Sequence, residues 1–267
     1  MRIRAAIIDI YGTLLESNST ISQNADHWNQ FWKDHLHKPP RITPEQFSAE
    51  CDRVIAKTHE LAQARGIKYP EVYWPHVVAE VLPEFSFLEE PQLSELRYYY
   101  RPMPRDPPLA TGAADVLRVL TDAGVILGIA SNCQPYSLRE LEVALAREGL
   151  SRKIFQTDLC FFSFEHGFGK PDPYVFQILT ARLARCGIRP HNTLMIGDRI
   201  DSDIEPAMQA GWQTWHLRQT IDGDWTALRN WLTSTWPAFL PARRSEVPSL
   251  GQTRLSRCDP SAGAAPR

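Results

Sequence analysis

Short uninterrupted apolar runs alternate along most of the chain with longer segments of helical periodicity. Apolar runs that are bounded by turn residues are typical of strands buried on both faces of a parallel sheet. Four runs predict strands of this kind, namely Ala5–Ile8, Val125–Ala130, Leu194–Ile196 and, more weakly, Leu159–Phe162; Thr214–Leu217 is a fifth candidate strand.

The segments between these runs carry apolar residues at helical spacing, and each ends at a glycine. Glycine is favoured just after a helix because it adopts the left-handed conformation without a Cβ penalty. The predicted helices are Ala113–Ala123, Ser137–Glu148, Tyr174–Cys186 and Ile204–Ala210. Strands that alternate with helices predict an α/β protein with a doubly wound, mainly parallel, Rossmann-like sheet.

One long segment, residues 15–108, has no strand pattern. Its helical patterns cover Asp26–His37, Pro44–Arg65, Tyr73–Val81 and Leu88–Tyr100, followed by a proline-rich linker. We therefore predict a core domain from residues 1–14 and 109–235, interrupted by a helical insertion over residues 15–108. The many aromatic residues of the insertion are interpreted mainly as its own core, with a substrate-facing lid as the alternative.

Composition excludes several classes of protein. The formal net charge is −2, which offers no basic surface for nucleic acid. No apolar stretch approaches the roughly 18 residues of a membrane span, and the segment before Asp9 is too short for a secretory signal. The five cysteines are scattered without CxxC spacing, which argues against disulfides and zinc. We expect a cytoplasmic protein with a small-molecule substrate and a disordered tail over residues 241–267.

Polar residues follow the predicted strands at the points where each strand ends. Asp9 follows the first strand, Ser131 and Asn132 the second, and Asp198 the fourth. In open α/β sheets, ligands bind beyond the carboxyl ends of the strands. Together with Lys170 before a helix, these residues predict one site at one edge of the sheet. Cys133 lies beside them, but no histidine is placed to activate it as a nucleophile.

These residues fall into four motifs whose order resembles the haloacid dehalogenase (HAD) superfamily across about residues 3–217. The motifs are Asp9-x-Tyr-Gly-Thr13, Ser131-Asn132, Lys170-Pro171 and Gly197-Asp198-x-x-x-x-Asp203. The resemblance implies a Rossmann-like core, and it implies that the insertion is an α-helical cap.

The resemblance also implies how the reaction proceeds. Asp9 would be the nucleophile and form a covalent intermediate that water hydrolyses. Mg²⁺ would neutralise the charge between the attacking carboxylate and a phosphoryl group. By resemblance, its ligands would be Asp9, the backbone carbonyl of Tyr11, and Asp198, with Asp203 behind them.

The other motif residues would hold the substrate and shape the loop. Ser131 and Lys170 would bind phosphoryl oxygens, because phosphoryl transfer is catalysed mainly by positioning and charge stabilisation. Thr13, Asn132 and the backbone around Gly12 would support the nucleophile loop.

The first and the fourth motif indicate different reactions. Phosphatases of this superfamily carry an acid/base aspartate where this chain has Tyr11, and Asp-x-Tyr-Gly-Thr is similar to 2-haloacid dehalogenases. Gly197-Asp198 is instead similar to the metal-dependent phosphatases. Dehalogenases usually place tyrosine where this chain has Phe176, and Arg41 lies near the position of their halide-binding arginine.

We give the metal motif more weight, because Asp9 and Asp198 on neighbouring strands would repel each other without a cation. The sequence therefore favours a Mg²⁺-dependent hydrolase, namely a phosphohydrolase of a small phosphorylated metabolite that uses an aspartyl-phosphate on Asp9. A metal-independent 2-haloacid dehalogenase is the first alternative. A catalytically weak binding protein with the same fold is the second.

Overall fold

The computed structural model describes residues 2–16, 25–100, 106–218 and 224–235. Five parallel strands form one sheet in the order β3-β2-β1-β4-β5, with β1 at its centre. The strands are β1 (Ala5–Ile8), β2 (Ile126–Ser131), β3 (Phe155–Phe162), β4 (Thr193–Gly197) and β5 (Gln213–His216). The predicted α/β class and mainly parallel sheet are confirmed.

Between β1 and β2, the described residues add no strand to the sheet and carry the helices of the insertion. This insertion contains α1 (Ala25–Leu36), α2 (Pro44–Ala64), α3 (Trp74–Val81), α4 (Glu90–Glu95) and α5 (Arg97–Tyr100). Thr43 and Gln46 form a capping box at the start of α2, which satisfies backbone amides that the helix leaves unpaired.

The remaining helices cover both faces of the sheet. They are α6 (Ala113–Asp122), α7 (Pro135–Arg147), α8 (Ser163–His166), α9 (Pro173–Arg185), α10 (Glu205–Gln209) and α11 (Asp224–Thr235). Side chains of β1 alternate between the two resulting cores, with Ala6 and Ile8 in one and Ala5 and Ile7 in the other. This alternation explains why the whole strand is apolar, since both of its faces are buried.

Two predicted helices begin at different residues in the structure, and in each a proline lies in the first turn of an observed helix. The segment predicted as one helix, Leu88–Tyr100, is divided into α4 and α5, and α4 begins at Glu90 with a proline in its first turn. The predicted helix Ile204–Ala210 begins earlier, with a π-helical turn over Ile200–Ile204, and a proline again opens α10. Proline lacks an N–H group, so it fits a first helical turn and not a helix interior.

Two other boundaries depend on surface exposure. β3 begins at Phe155, earlier than the predicted Leu159, because its first half carries exposed polar residues that hide the apolar pattern. Such residues are expected on an edge strand. Helix α11 was not predicted, although Trp225, Leu228 and Leu232 bury one face of it.

The aromatic residues of the insertion form a separate hydrophobic cluster. Trp28, Phe47, Trp74 and Phe85 are buried in it, and the ring centroids of Trp28 and Phe47 lie 5.3 Å apart. The interpretation that these residues are mainly the core of the insertion is confirmed. Tyr136 of α7 packs against the same cluster and joins it to the core.

A short segment of the insertion, residues 69–74, crosses the core loop that leads into the third motif. We call this segment the strap. The Gly169 amide donates to the Tyr69 carbonyl at 3.0 Å, and the Glu71 amide donates to the Gly167 carbonyl at 2.9 Å. The insertion is therefore bonded through its backbone to the loop that carries the predicted lysine.

Side chains reinforce the strap at the start of α7. The Gln134 amide group donates to the Val72 carbonyl at 2.8 Å and to Glu71 Oε1 at 3.1 Å, while its oxygen accepts from the Trp74 amide at 2.8 Å. The Ser163 hydroxyl donates to Glu71 Oε2 at 2.8 Å. Glu71 is partly buried there, and burial raises its pKa.

No helix among residues 2–16, 25–100, 106–218 and 224–235 combines the length and the hydrophobicity needed to cross a membrane. The tail predicted over residues 241–267 lies outside the described residues, as does most of the proline-rich linker. The division into two domains remains a prediction.

Candidate active site

The carboxyl ends of three neighbouring strands carry the predicted polar residues. Asp9 follows β1, Ser131 closes β2 and Asp198 follows β4. Because β1 lies between β2 and β4, the three residues meet at one edge of the sheet. The predicted convergence of these motifs is therefore present in the fold.

Lys170 lies at the centre of this group. Its ammonium donates to Asp9 Oδ1 at 2.8 Å and also to Asp203 Oδ1. Exposed fractions are 5% for Lys170, 7% for Asp9 and 0% for Asp203. A lysine buried to this extent requires compensating charge, and the two carboxylates supply it.

Asn132 fixes the backbone of Lys170. Its side-chain amide donates to the Lys170 carbonyl at 2.7 Å, and its oxygen accepts from the Lys170 amide at 2.7 Å. Gly169 precedes Lys170, and a Cβ there would collide with the Asn132 side chain. The second and third motifs are thus joined by a two-point contact that aims Lys170 at Asp9.

Three carboxylates lie close together at this edge. Asp9, Asp198 and Asp203 can each offer an oxygen such that these oxygens lie within 4.8 Å of one another. Thr13 donates its hydroxyl to Asp198 Oδ1 at 3.4 Å. Gly12 has φ +76° and packs so closely on Asp198 that any side chain would collide with the carboxylate. The first motif thus needs its glycine both for backbone conformation and for space.

Burial and mutual repulsion change the acidity of these groups. Burial raises the pKa of Asp9 to about 6; Lys170 opposes the rise, and the Asp203 and Asp198 carboxylates add to it. The pKa of Asp198 is also raised, first by burial and then by Asp203. Burial alone would lower the pKa of Lys170, but Asp9 and Asp203 outweigh it, so that pKa is raised. Lys170 therefore stays protonated at neutral pH.

The charges of this group fit a divalent cation. Three carboxylates and one ammonium leave two negative charges uncompensated, and carboxylate oxygens are the ligands that Mg²⁺ prefers. Asp203 already uses Oδ1 for Lys170 and Oδ2 for the Arg199 amide, which lies 3.1 Å away. Asp203 therefore fits a place behind an ion, whereas Asp9 and Asp198 fit direct contact.

The side chain of Tyr11 points to a group that the sequence analysis did not identify. Its hydroxyl donates to Glu140 Oε2 of α7, and Glu140 also forms an ion pair with Arg97 of α5. Burial raises the pKa of Tyr11 further above its ordinary value. Tyr11 is therefore unsuited to exchange protons with a substrate at neutral pH.

One feature of the sequence indicates that Glu140 has a buried partner. It lies on the face of α7 that also contains Ser137, Leu141 and Ala144, all of them buried. A carboxylate on an apolar helix face implies a buried partner. The partner itself, Arg97, had no comparable signal, because it comes from a distant part of the insertion.

His216 is a second residue that the sequence analysis missed. Its Nε2 lies 3.0 Å from the Asp198 carbonyl oxygen, at the end of β5. Since Asp198 follows β4, this contact anchors the backbone of a candidate metal ligand to the neighbouring strand.

Two residues that were compared with dehalogenases lie in ordinary structural positions. Arg41 is 54% exposed, forms a 3.0 Å ion pair with Glu84 and donates to the Val81 carbonyl at 2.9 Å. Phe176 is buried in the core, with its ring 5.5 Å from that of Trp212. Both residues therefore make structural contacts within the fold.

Cys133 is buried, and burial strongly raises the pKa of its thiol. Thiolate is the nucleophilic form of cysteine, so this residue is inert at neutral pH. The expectation that Cys133 is not a nucleophile agrees with its surroundings.

Several solved structures are similar to this chain. A HAD family enzyme, BT-2542 from Bacteroides thetaiotaomicron, is 19% identical over 85% of this chain and 98% of its own, with a TM-score of 0.52. A complex of the same enzyme with magnesium and inorganic phosphate gives 16% identity, the same coverage and a TM-score of 0.51. The L-2-haloacid dehalogenase RSc1362 is 18% identical over 87% of this chain and 100% of its own, with a TM-score of 0.47.

No curated protein matches the chain significantly. A family model described as haloacid dehalogenase-like hydrolase matches residues 3–211, which include all four motifs and the insertion. Together with the parallel sheet and the residues at its carboxyl edge, this match establishes that the chain belongs to the haloacid dehalogenase-like hydrolase family.

Proposed function

We propose that this hydrolase is a Mg²⁺-dependent phosphohydrolase of small phosphorylated metabolites, acting in the cytoplasm through an aspartyl-phosphate on Asp9. One observation carries the proposal: one carboxylate oxygen each from Asp9, Asp198 and Asp203 lies within 4.8 Å of the others, beside the buried Lys170. Without a cation, that excess of negative charge would disfavour both the folded site and the approach of an anionic substrate.

The candidate ion ligands are Asp9, Asp198 and the carbonyl of Tyr11, with Asp203 behind them. A bound Mg²⁺ would supply charge neutralisation between the nucleophile and the phosphoryl group. The BT-2542 enzyme binds magnesium and inorganic phosphate on the same fold, so the fold accommodates this pair.

The protein's own groups would then act in sequence. Asp9 attacks phosphorus, the bond from phosphorus to the leaving oxygen breaks, and water later hydrolyses the aspartyl-phosphate. Lys170, fixed by Asn132 and Asp203, would bind a phosphoryl oxygen next to the nucleophile, and Ser131 would bind another. The buried Lys170 stays charged throughout, which suits stabilisation of charge on the transferred group.

The contacts of Tyr11 support a more specific proposal about the leaving group of the substrate. Its proton is donated to Glu140 and its pKa is raised, so it offers a leaving group no proton. Substrates whose leaving groups are stable as anions, such as aryl or acyl phosphates, need little protonation. We therefore propose that such esters are hydrolysed faster than alkyl phosphates.

We propose that the insertion acts as a cap over this edge of the sheet. The strap binds the loop before Lys170, and Arg97 of α5 reaches Glu140 beside the nucleophile loop. Both contacts bring the insertion next to the candidate active site.

The direct test is turnover of an aryl phosphate in Mg²⁺ and in EDTA. We expect hydrolysis only with Mg²⁺, and we expect Asp198→Asn to abolish it and to weaken Mg²⁺ binding measured by calorimetry. The exposed pair of Arg53 and Glu50 provides a control variant, Arg53→Met, that should leave both measurements unchanged. Aryl phosphate turnover that survives EDTA would overturn the proposal.

A 2-haloacid dehalogenase is the second candidate, and the tyrosine of the Asp9-x-Tyr-Gly-Thr13 motif favours it. Displacement of halide by a carboxylate needs no acid for the leaving group, which fits the position of Tyr11. Release of halide from 2-chloropropionate in EDTA, with no phosphatase activity in Mg²⁺, would establish this reaction instead. Binding of Mg²⁺ and phosphate without turnover of either substrate would indicate a binding protein.

The pKa of Asp9 predicts how Mg²⁺ binding depends on pH. Mg²⁺ binds the ionised carboxylate, so protons compete with it below the folded pKa of about 6. We expect the increase in Tm caused by Mg²⁺ to grow as the pH rises through about 6. Thermal melts with Mg²⁺ and with EDTA across this range measure the difference, and Asp198→Asn serves as the control that should show little increase.

Without Mg²⁺, the ionisation of Asp9 should make the folded protein less stable as the pH rises. The folded protein holds the Asp9 proton more tightly than the unfolded chain, whose carboxyl titrates near 3.8. The stability that this group contributes is therefore complete below that value and is lost as the pH rises to about 6. A Mg²⁺ effect on Tm that does not change over this range would contradict the assignment of Asp9 as a ligand.

A further inference from the structure

A chain of buried contacts joins the insertion to the nucleophile loop. Arg97 and Glu140, each 1% exposed, form an ion pair between α5 and α7. Glu140 accepts the Tyr11 hydroxyl through its other oxygen. Three elements that are distant in sequence thus meet at one carboxylate.

Arg97, the first residue in this series of contacts, is held rigidly. Its guanidinium lies 4.0 Å from the centre of the Tyr98 ring and 4.2 Å from that of Tyr136. It also donates to the Ser94 carbonyl at 3.3 Å. Stacking between aromatic rings restricts a guanidinium to one orientation, so Arg97 presents Glu140 with a fixed partner.

The nucleophile loop, at the other end of this series of contacts, is held by backbone bonds and, at Thr13, by the Trp225 indole, which donates to the Thr13 carbonyl at 3.1 Å. The Gly12 amide donates to the Leu15 carbonyl at 2.9 Å, and the Leu15 amide donates to the Ile10 carbonyl at 2.8 Å. The Tyr11 side chain is a second anchor from outside the loop, and it holds the residue midway between Asp9 and Thr13. Its orientation therefore influences where the nucleophile and the Tyr11 carbonyl lie.

We infer that Glu140 is a positioning residue of the reaction, which fixes the nucleophile loop through Tyr11 only while Arg97 of the insertion is docked against it. The placement of the insertion and the geometry of the active site are then one coupled arrangement. The kinetic part of this inference rests on the proposed phosphohydrolase activity, whereas the structural part does not.

The test compares two variants that interrupt the chain at different points. Tyr11→Phe removes the hydroxyl but leaves the ion pair intact. The double variant Arg97→Met/Glu140→Gln removes both charges together, which avoids leaving a single buried charge that could unfold the protein. Phe47→Leu is the control, because it perturbs the aromatic cluster of the insertion without touching this chain of contacts.

The first measurement is hydrogen exchange at the amides of Gly12 and Leu15, which needs neither metal nor substrate. We expect exchange about tenfold faster in both test variants and unchanged in Phe47→Leu. We further expect that combining Tyr11→Phe with the double variant adds little, because the two interrupt one chain of contacts. Wild-type exchange in both folded variants would overturn the inference.

The second measurement is kinetic. For aryl phosphate hydrolysis we expect kcat to fall about tenfold in both variants while KM changes little, since Glu140 acts on the nucleophile loop and not on substrate binding. Faster exchange in a protein without phosphatase activity would keep the positioning role and reject the proposed function. Unchanged exchange together with normal phosphatase activity would reject the positioning role and keep the proposed function.

Discussion

Replacing Lys170 by methionine should be among the most damaging single changes in this protein. The substitution leaves Asp9 and Asp203 buried without their shared counter-ion, and loss of one partner of a buried ion pair costs about 3–5 kcal/mol. Turnover should also fall by about 10²–10³-fold, the usual loss when one donor to a developing negative charge is removed. Urea unfolding in EDTA and aryl phosphate kinetics in Mg²⁺ measure the two effects.

Two further variants test the cause of this loss. In Lys170→Met/Asp203→Asn the extra carboxylate is also neutralised, so part of the lost stability should return while turnover stays low. Arg53→Met breaks an exposed ion pair and should change stability by no more than about 1 kcal/mol. If Lys170→Met is no less stable than Arg53→Met, Lys170 is not the counter-ion that the site requires.

Replacing Tyr11 by aspartate should raise hydrolysis of alkyl phosphates. Aspartate at this position is the acid/base of the related phosphatases, and such assistance is typically worth about 10²–10⁴-fold. The gain should lie near the lower end of that range, because the substitution also breaks the contact with Glu140 that anchors the loop. Steady-state kinetics with one aryl and one alkyl phosphate would show a larger gain for the alkyl ester.

Tyr11→Phe is the matched variant for this experiment. It loses the same anchor but gains no carboxylate, so it should be slower than the wild type on both esters. If Tyr11→Asp folds but hydrolyses the alkyl ester no faster than Tyr11→Phe, the missing acid/base aspartate is not what limits the wild-type protein. Tyr11 would then belong to a different reaction, and the haloacids would become the substrates to examine.

The sequence predicted the sheet because its central strands are uniformly apolar. β1 and β4 are buried on both faces, so their composition alone identifies them. β3 lies at an edge of the sheet and α11 buries one narrow face, and neither produces a pattern strong enough to set its limits. The limits of the predicted helices Leu88–Tyr100 and Ile204–Ala210 were misjudged because apolar spacing shows neither the first turn of a helix nor the interruption at Leu96.

The candidate site was predictable where its residues lie at the ends of strands or the starts of helices. Asp9, Asp198 and Lys170 follow strands or precede helices, so topology brings them together. The contact of Tyr11 with Glu140 and Arg97 was not predictable, because it depends on how the insertion docks on α7. Local patterns contain no information about such a docking, which joins residues far apart in the sequence.

The central position of β1 has a consequence for the order in which the protein forms. Ala5 pairs with Ile126 on one side and with Thr193 on the other. During synthesis, β1 is therefore made long before β2 and β4, and both of its edges stay unpaired until those strands have left the ribosome. We expect the nascent chain to depend on chaperones until β4 emerges, and shortened chains that end before β4 to aggregate through β1.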